Sequence, residues 1–206
     1  MDFYIEPVTT AEVDDSARLI ALALQDDPVF NAYVPGERDR LNRLTRFFGS
    51  VLRSGPLRNG VVDVARSARG SDIVGVAAWE GPDRHHSSWS ILKDLSHLVR
   101  ASGVRHVPSF LTQLAAYDKA RPRYPHWYLA DIAVNDSARG LGVGSALLRF
   151  RLASIDEQAL PVYLEATSPA NQRLYERFGF CSTGSIETSG VASVGMIRPG
   201  QRHSAL

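Results

Sequence analysis

The stretch that most restricts the fold of this chain is His126–Phe150, HWYLADIAVNDSARGLGVGSALLRF. It opens as a strand. Tyr128, Ala130, Ile132 and Val134 are expected on one side, with Trp127, Leu129, Asp131 and Ala133 on the other. It closes as a helix, where Val143, Leu147 and Phe150, then Leu148, Leu152 and Ile155, make a broad apolar stripe. Between the two, Gly140, Gly142 and Gly144 alternate. Glycine weakens strands and helices alike, so three together point to a turn in which the backbone itself is needed.

A strand, a glycine turn and a helix form an anion site. The first N–H groups of the helix have no intrahelical partner, and the helix dipole adds partial positive charge there. Glycines leave the approach to those N–H groups clear. Arg139 adds a full charge at the same mouth. Arg139, Gly140, Leu141, Gly142, Val143, Gly144 and Ser145 are therefore the candidate cradle for a phosphate-bearing ligand.

The rest of the chain supplies a mixed α/β order. FYIEPV reads as a first strand. Thr9 and Glu12 are spaced as a capping box ahead of Val13, Ala17, Ile20 and Leu24 at helical spacing. QDDPVF is expected to break that helix at Pro28. Leu41, Leu44, Phe47, Phe48, Val51 and Leu52 mark a second helix, which SGPLRNG ends. VVDVARS and IVGVAAWEG read as two strands joined by ARGSD. Residues 82–125 read as a helical insertion, with one helix around Ile91, Leu92, Leu95, Leu98 and Val99, and another around Phe110, Leu111, Leu114 and Tyr117. VYLEA is a strand; Ser168 and Pro169 suit the start of a short helix, and Gly179 its end. A two-strand hairpin finishes the chain. The insertion is too short to bury a core of its own, so residues 1–206 are expected to form one domain.

Bulk properties narrow the function. Of 206 residues, 44% are apolar and 22% charged, with a formal charge of +1. That is the make-up of an ordinary soluble protein, with no electrostatic pull toward nucleic acid or membrane. No apolar run approaches a membrane span, and the acidic N-terminus does not read as a secretion signal. A single cysteine, Cys181, excludes an intramolecular disulfide and a cysteine-rich metal site, so a cytoplasmic location is expected. His85, His86, His97, His106 and His126 lack zinc-type spacing, and no metal is expected. Trp79, Trp89, Trp127, Tyr117 and Tyr124 either line an acceptor pocket or belong to the core, the latter more natural for the strand residues Trp79 and Trp127.

The glycine turn lacks the Gly-Lys-Ser/Thr ending of a nucleotide triphosphatase loop, and its G-x-G-x-G spacing is not the dinucleotide fingerprint. Arg139, Gly142 and Gly144 instead fit Arg/Gln-x-x-Gly-x-Gly/Ala. This resembles the coenzyme A pyrophosphate loop of the GNAT superfamily of N-acetyltransferases. YLEATSPANQRLYERFGF is similar to a later motif of the same superfamily, and residues 126–181 together particularly resemble its puromycin N-acetyltransferase-like branch. The resemblance implies a mixed, mostly antiparallel central sheet flanked by helices, with the insertion between its third and fourth strands. It implies acetyl-CoA as cosubstrate and direct transfer to a primary amine, a small-molecule amine by this branch. Protein or peptide amines, and a catalytically silent acyl-CoA sensor, are the alternatives; a homodimer is compatible with any of these.

By resemblance, Tyr175 is the general acid beside the coenzyme sulfur, and the backbone of Ile132, Ala133 and Val134 pairs with the pantetheine arm. Glu165 matches a glutamate that serves some relatives as base. Asp131, Glu80 and ordered water are rivals for that role. Asn171 resembles an asparagine that contacts the coenzyme arm. Here it departs from the pattern, because only Gln172, Arg173 and Leu174 separate it from Tyr175.

Overall fold

The computed structural model describes residues 2–70, 72–82, 99, 107–188 and 191–201. A seven-stranded sheet organises them, with strands in the order β1-β2-β3-β4-β5-β7-β6. The strands are β1 Phe3–Pro7, β2 Gly60–Ser67, β3 Ile73–Glu80, β4 Trp127–Val134, β5 Val162–Ala166, β6 Cys181–Thr188 and β7 Val191–Arg198. Every neighbouring pair is antiparallel except β4 and β5. Those two run parallel and pair only at Trp127↔Val162 and Tyr128↔Tyr163. Beyond Tyr128 they diverge and split the sheet. From Leu129 onward, β4 has a partner strand on its β3 side only.

Two apolar layers cover the sheet. On one face, α1 (Val13–Leu24) and α3 (Arg40–Ser54) pack on β2, β3 and β4 through Ala17, Ile20, Leu44, Phe48 and Leu52 against Val62, Val64, Val76, Ala78 and Ala133. On the other, α6 (Val143–Glu157) buries Val143, Leu147, Leu148, Leu152 and Ile155 against Ala77, Trp79, Leu129 and Leu164. Each buried valine, leucine, isoleucine or phenylalanine among them contributes about 1.5–3 kcal/mol. Gly75 lets α6 sit directly on β3: a Cβ there would stand 2.7 Å from Val143 Cγ1. Arg151 of α6 donates to buried Asp63 of β2 through Nε at 2.8 Å and Nη2 at 2.5 Å, which fixes the helix along the sheet.

Several local expectations change. Pro28 does not merely end α1; it opens a further helix, α2 (Pro28–Tyr33), whose first turn is capped by Asp27 Oδ1 accepting from Val29 N–H at 2.8 Å. Proline at the first helical position loses no hydrogen bond, so the residue that stops one helix starts the next. Pro56 does the same for α4 (Pro56–Asn59). In the insertion, α5 spans Val107–Ala120. Its Leu111 is exposed and Gln113 buried, the reverse of the expected apolar stripe. The helix expected around residues 91–99, together with Trp89, His85, His86, His97 and His106, lies outside the described residues apart from Val99.

The expected facing of β4 also changes. The β3–β4 register slips between Ala78↔Asp131 and Trp79↔Leu129, so Ala130 is an extra residue, a bulge. A one-residue insertion turns the side chains beyond it to the other face. Leu129 and Ile132 therefore pack with α6, whereas Ala133 packs with α1 and α3. By the same alternation Tyr128 and Asp131, flanking the bulge, share the α1/α3 face with Glu80 of β3.

Candidate active site

The glycine turn stands at the mouth of the sheet split. Asn135 ends β4 and turns the chain, its Oδ1 accepting from Ser137 N–H at 3.0 Å. Gly140 has φ 75° and Gly142 φ 82°, in the left-handed region that side chains disfavour. Among the described residues nothing lies within 4 Å of where a Cβ would stand on either, so open space fronts the turn. Gly142 is the N-cap of α6, and the first bond inside the helix runs from Ala146 N–H to Gly142 O at 2.9 Å. Val143, Gly144 and Ser145 thus carry N–H groups with no carbonyl behind them. Arg139, more than half exposed, lies beside the turn, its Nη2 2.9 Å from Asp136 Oδ1. Open space, unpaired N–H groups and an exposed cation fit a pyrophosphate.

At the inner end of the split sits α7 (Pro169–Glu176). Ser168 caps it, accepting from Asn171 N–H at 3.2 Å. Asn171 lies in its first turn, partly exposed. Tyr175, one turn later, is 5% exposed and packs 5.8 Å from the Phe180 ring. Burial raises its phenol well above the ordinary range, and the Asp131 carboxylate adds to the shift. Asp131 itself is pushed up to about 8, first by burial and then by Glu80. The structure thus brings Tyr175 and Asp131 together across the split.

Glu165 is placed differently. Its Oε2 accepts from the Tyr128 hydroxyl at 2.8 Å, and its Oε1 lies 3.5 Å from Arg121 Nε. The two charged side chains are 4% and 7% exposed. The Arg121 guanidinium also lies 3.5 Å over the Tyr128 ring. Burial raises the Glu165 carboxyl, while Arg121 and the Tyr128 hydroxyl pull it back. Arg121 and Tyr128 were not singled out in the sequence as site residues. The available signal was a helix-spaced polar series, Gln113, Tyr117 and Arg121, on a helix that packs inward. Trp79 is fully buried core; Trp127 is half-buried, donating to Gln158 Oε1 at 2.9 Å. A separate cavity of about 410 Å³, lined by Glu12, Arg18, Arg66, Asp72 and Asn135 among others, includes none of Asp131, Glu165 or Tyr175. Among the described residues no cluster of three or more metal-ligating side chains occurs.

A split between parallel β4 and β5, fronted by a glycine turn, agrees with the family comparison. The model of the acetyltransferase (GNAT) family matches residues 69–180, more than half of the chain. This chain belongs to that family. Proteins similar to it include an uncharacterised N-acetyltransferase of Schizosaccharomyces pombe, 27% identical over 190 residues, which cover 87% of this chain and 74% of that protein. Among solved structures, the histone acetyltransferase HPA2 and related acetyltransferase from Corynebacterium glutamicum is 29% identical, covers both chains in full and has a TM-score of 0.77. Arylalkylamine N-acetyltransferase 2 from Aedes aegypti, 14% identical, has a TM-score of 0.65 over 98% of this chain and 100% of its own, and shows the shared fold. The protein is therefore a GNAT acetyltransferase with a mixed α/β sheet, of a family that uses acetyl-CoA.

Proposed function

We propose that this GNAT enzyme transfers an acetyl group from acetyl-CoA to the primary amine of a small molecule, directly and in a ternary complex. The observation that carries this reading is the divergence of β4 from β5, with the open glycine turn at one end and the Tyr175–Asp131 pair at the other. Acetyl-CoA supplies the activated acetyl group as a thioester. The N–H groups of Val143, Gly144 and Ser145, with Arg139, hold its pyrophosphate. The free backbone edge of β4 at Ile132, Ala133 and Val134 receives the pantetheine arm as a further strand would be received. Asn171, on the first turn of α7, borders the same arm.

An alkyl amine has a pKa near ~10.4 and arrives as ammonium, so it must lose a proton before it attacks. Asp131 takes that proton. It lies on the α1/α3 face, where the acceptor approaches, and its carboxyl titrates close to working pH. The Tyr175 phenol gives its proton to the departing thiolate. Glu165, held by Tyr128 and Arg121, shapes the acceptor wall and adds negative charge that attracts the ammonium. The resemblance to the puromycin N-acetyltransferase-like branch supports the choice of a small molecule over a protein amine.

Calorimetric titration with acetyl-CoA and free coenzyme A, followed by thiol release across a panel of primary amines, tests the proposal. Coenzyme binding with amine-dependent thiol release is expected. Coenzyme binding with release only in the presence of a peptide would transfer the acceptor role to polypeptides. Absence of coenzyme binding by the folded protein would remove the catalytic reading.

A further inference from the structure

The inner side of α5 is unusual for a helix laid on a sheet. At its start, Phe110 packs edge-on against Phe47 at 6.0 Å, as an apolar anchor should. The following residues on the same side, Gln113 and Tyr117, and Arg121 just past the helix end, are polar. They face a polar stretch of the sheet. Tyr163 and Glu165 of β5 lie beside Gly195 and Ser193 of β7, and Thr183 of β6 reaches over the same glycine. A Cβ at Gly195 would come within 2.7 Å of both the Tyr163 hydroxyl and Thr183 Oγ1, so glycine leaves room for two oxygens there.

This polar layer is incompletely paired. Gln113 is 2% exposed, yet neither its Oε1 nor its Nε2 has a hydrogen-bond partner. The Tyr117 and Tyr163 hydroxyls are buried and complete no hydrogen bond of good geometry, although Ser193 and Gln113 adjoin the first and Glu165 the second. Burial raises both phenols, and the Glu165 carboxylate adds to each shift. Buried polar atoms in folded proteins are nearly always satisfied, because an unmet hydrogen bond leaves the whole cost of desolvation. Four orphaned atoms in one layer, adjoining Glu165, are a set of partners waiting for a ligand.

We propose that the Gln113 amide and the Tyr117 and Tyr163 hydroxyls bind a neutral hydrogen-bonding group on the acceptor, a carboxamide or hydroxyl several atoms from its amine. The inference rests on the amine-acceptor reading above and narrows its substrate class. An amide both donates and accepts, as Gln113 does, and two hydroxyls beside it complete the pairing. A second ammonium would find donors opposing it, and of the two carboxylates near this layer among the described residues Glu165 is already engaged by Arg121 and Asp27 by the Thr167 hydroxyl and the Val29 N–H. A methyl terminus would leave every orphan unmet. These atoms are buried, so the acceptor group enters between α5 and the sheet.

The test uses a matched series: hexylamine, 6-aminohexan-1-ol, 6-aminohexanamide and 1,6-diaminohexane, each assayed with acetyl-CoA by thiol release. The hydroxyl or amide compound should exceed hexylamine in kcat/KM by at least about tenfold, the worth of one or two well-made hydrogen bonds. In Gln113→Met that ratio should fall to within about twofold. Gln113→Glu should instead move the preference to 1,6-diaminohexane. Hexylamine used as well as its polar analogues, or a preference unchanged in Gln113→Met, overturns the inference while leaving an amine acetyltransferase intact. No turnover with any of the four, despite coenzyme binding, takes down the small-amine reading and this inference with it. A melting temperature settles the case independently of turnover: removing an orphaned amide should raise it, and a Gln113→Met protein less stable than its parent would mean that the amide is already satisfied.

Discussion

The two ends of the split are built from different materials. The outer end is backbone: left-handed glycines, the bare N–H groups of α6 and the unpaired edge of β4. Only Arg139 contributes a side chain there, and it is more than half exposed. The inner end is side chain. Tyr175 comes from α7, Asp131 from β4, Glu80 from β3, Glu165 from β5 and Arg121 from just past α5, and all but Asp131 are nearly buried. A backbone site recognises what all members of a family bind, because any sequence with the right glycines makes it. A side-chain site recognises what one member binds. On the proposed reading, the same protein carries a shared end for the coenzyme and a private end for the acceptor.

That division predicts how the two ends fail. Tyr175→Phe removes the proposed acid but no contact of the outer end. Turnover should fall by about 10²- to 10⁴-fold, the range for a lost general acid. Coenzyme A affinity by calorimetry should stay within about twofold of the parent. A comparable loss of affinity would show that the two ends are one site. Asp131→Asn should lower kcat/KM by about 10²-fold and remove a limb of the pH profile. In the parent the rate should climb as Asp131 loses its proton near pH 8, whereas the asparagine variant lacks that rise. Stability supplies the sign independently. The folded protein holds this proton more tightly than the unfolded chain, so Asp131 favours folding at acid pH and ceases to as pH rises through about 8. Asp131→Asn should therefore melt above the parent at pH 9 and near it only at about pH 3, below the carboxyl's ordinary value of 3.8. Equal melting at both pH values would place the carboxyl in water.

A smaller effect belongs to the outer end. Gly142→Glu puts a side chain at φ 82° and a negative charge where phosphate is expected. The strain costs about 1–2 kcal/mol. With like charge added, coenzyme affinity should drop by about tenfold, while kcat at saturating acetyl-CoA changes little. Loss of kcat with affinity retained would reverse the roles of the ends.

The contrast also explains what the sequence made legible. The outer end was readable because its requirements are local: glycine for positive φ, then an apolar helix stripe, within one continuous segment. The succession of strands and helices around it followed from apolar alternation and from Pro28, Ser168 and Gly179 as punctuation, although Pro28 proved to start a helix as well as stop one. The inner end was readable only in part, through Tyr175 and Glu165 in a motif that resembles the family's. Two features hid the rest. The bulge at Ala130 breaks the two-residue period, so strict alternation put Asp131 and Tyr128 on opposite faces. Arg121 and Glu165 are 44 residues apart and meet only because α5 crosses the sheet. No local pattern encodes either.

Glu165 gives the finest test of the comparison, because it lies at the inner end without facing Tyr175. In Glu165→Gln, the side-chain carbonyl can still accept from the Tyr128 hydroxyl, so that bond survives. What is lost is the charge opposite Arg121, a buried cation that still has Glu80 and the Tyr128 ring nearby. Removing one member of a buried pair destabilises by about 3–5 kcal/mol when nothing compensates. Glu80 and the ring both compensate, so the melting temperature should fall by less than that range implies. Turnover should stay within about threefold of the parent, since the proton acceptor and donor are untouched. A loss as large as that of Asp131→Asn, with the rise of the pH profile gone as well, would make Glu165 the base. Asp131 would then be the residue that merely borders the split.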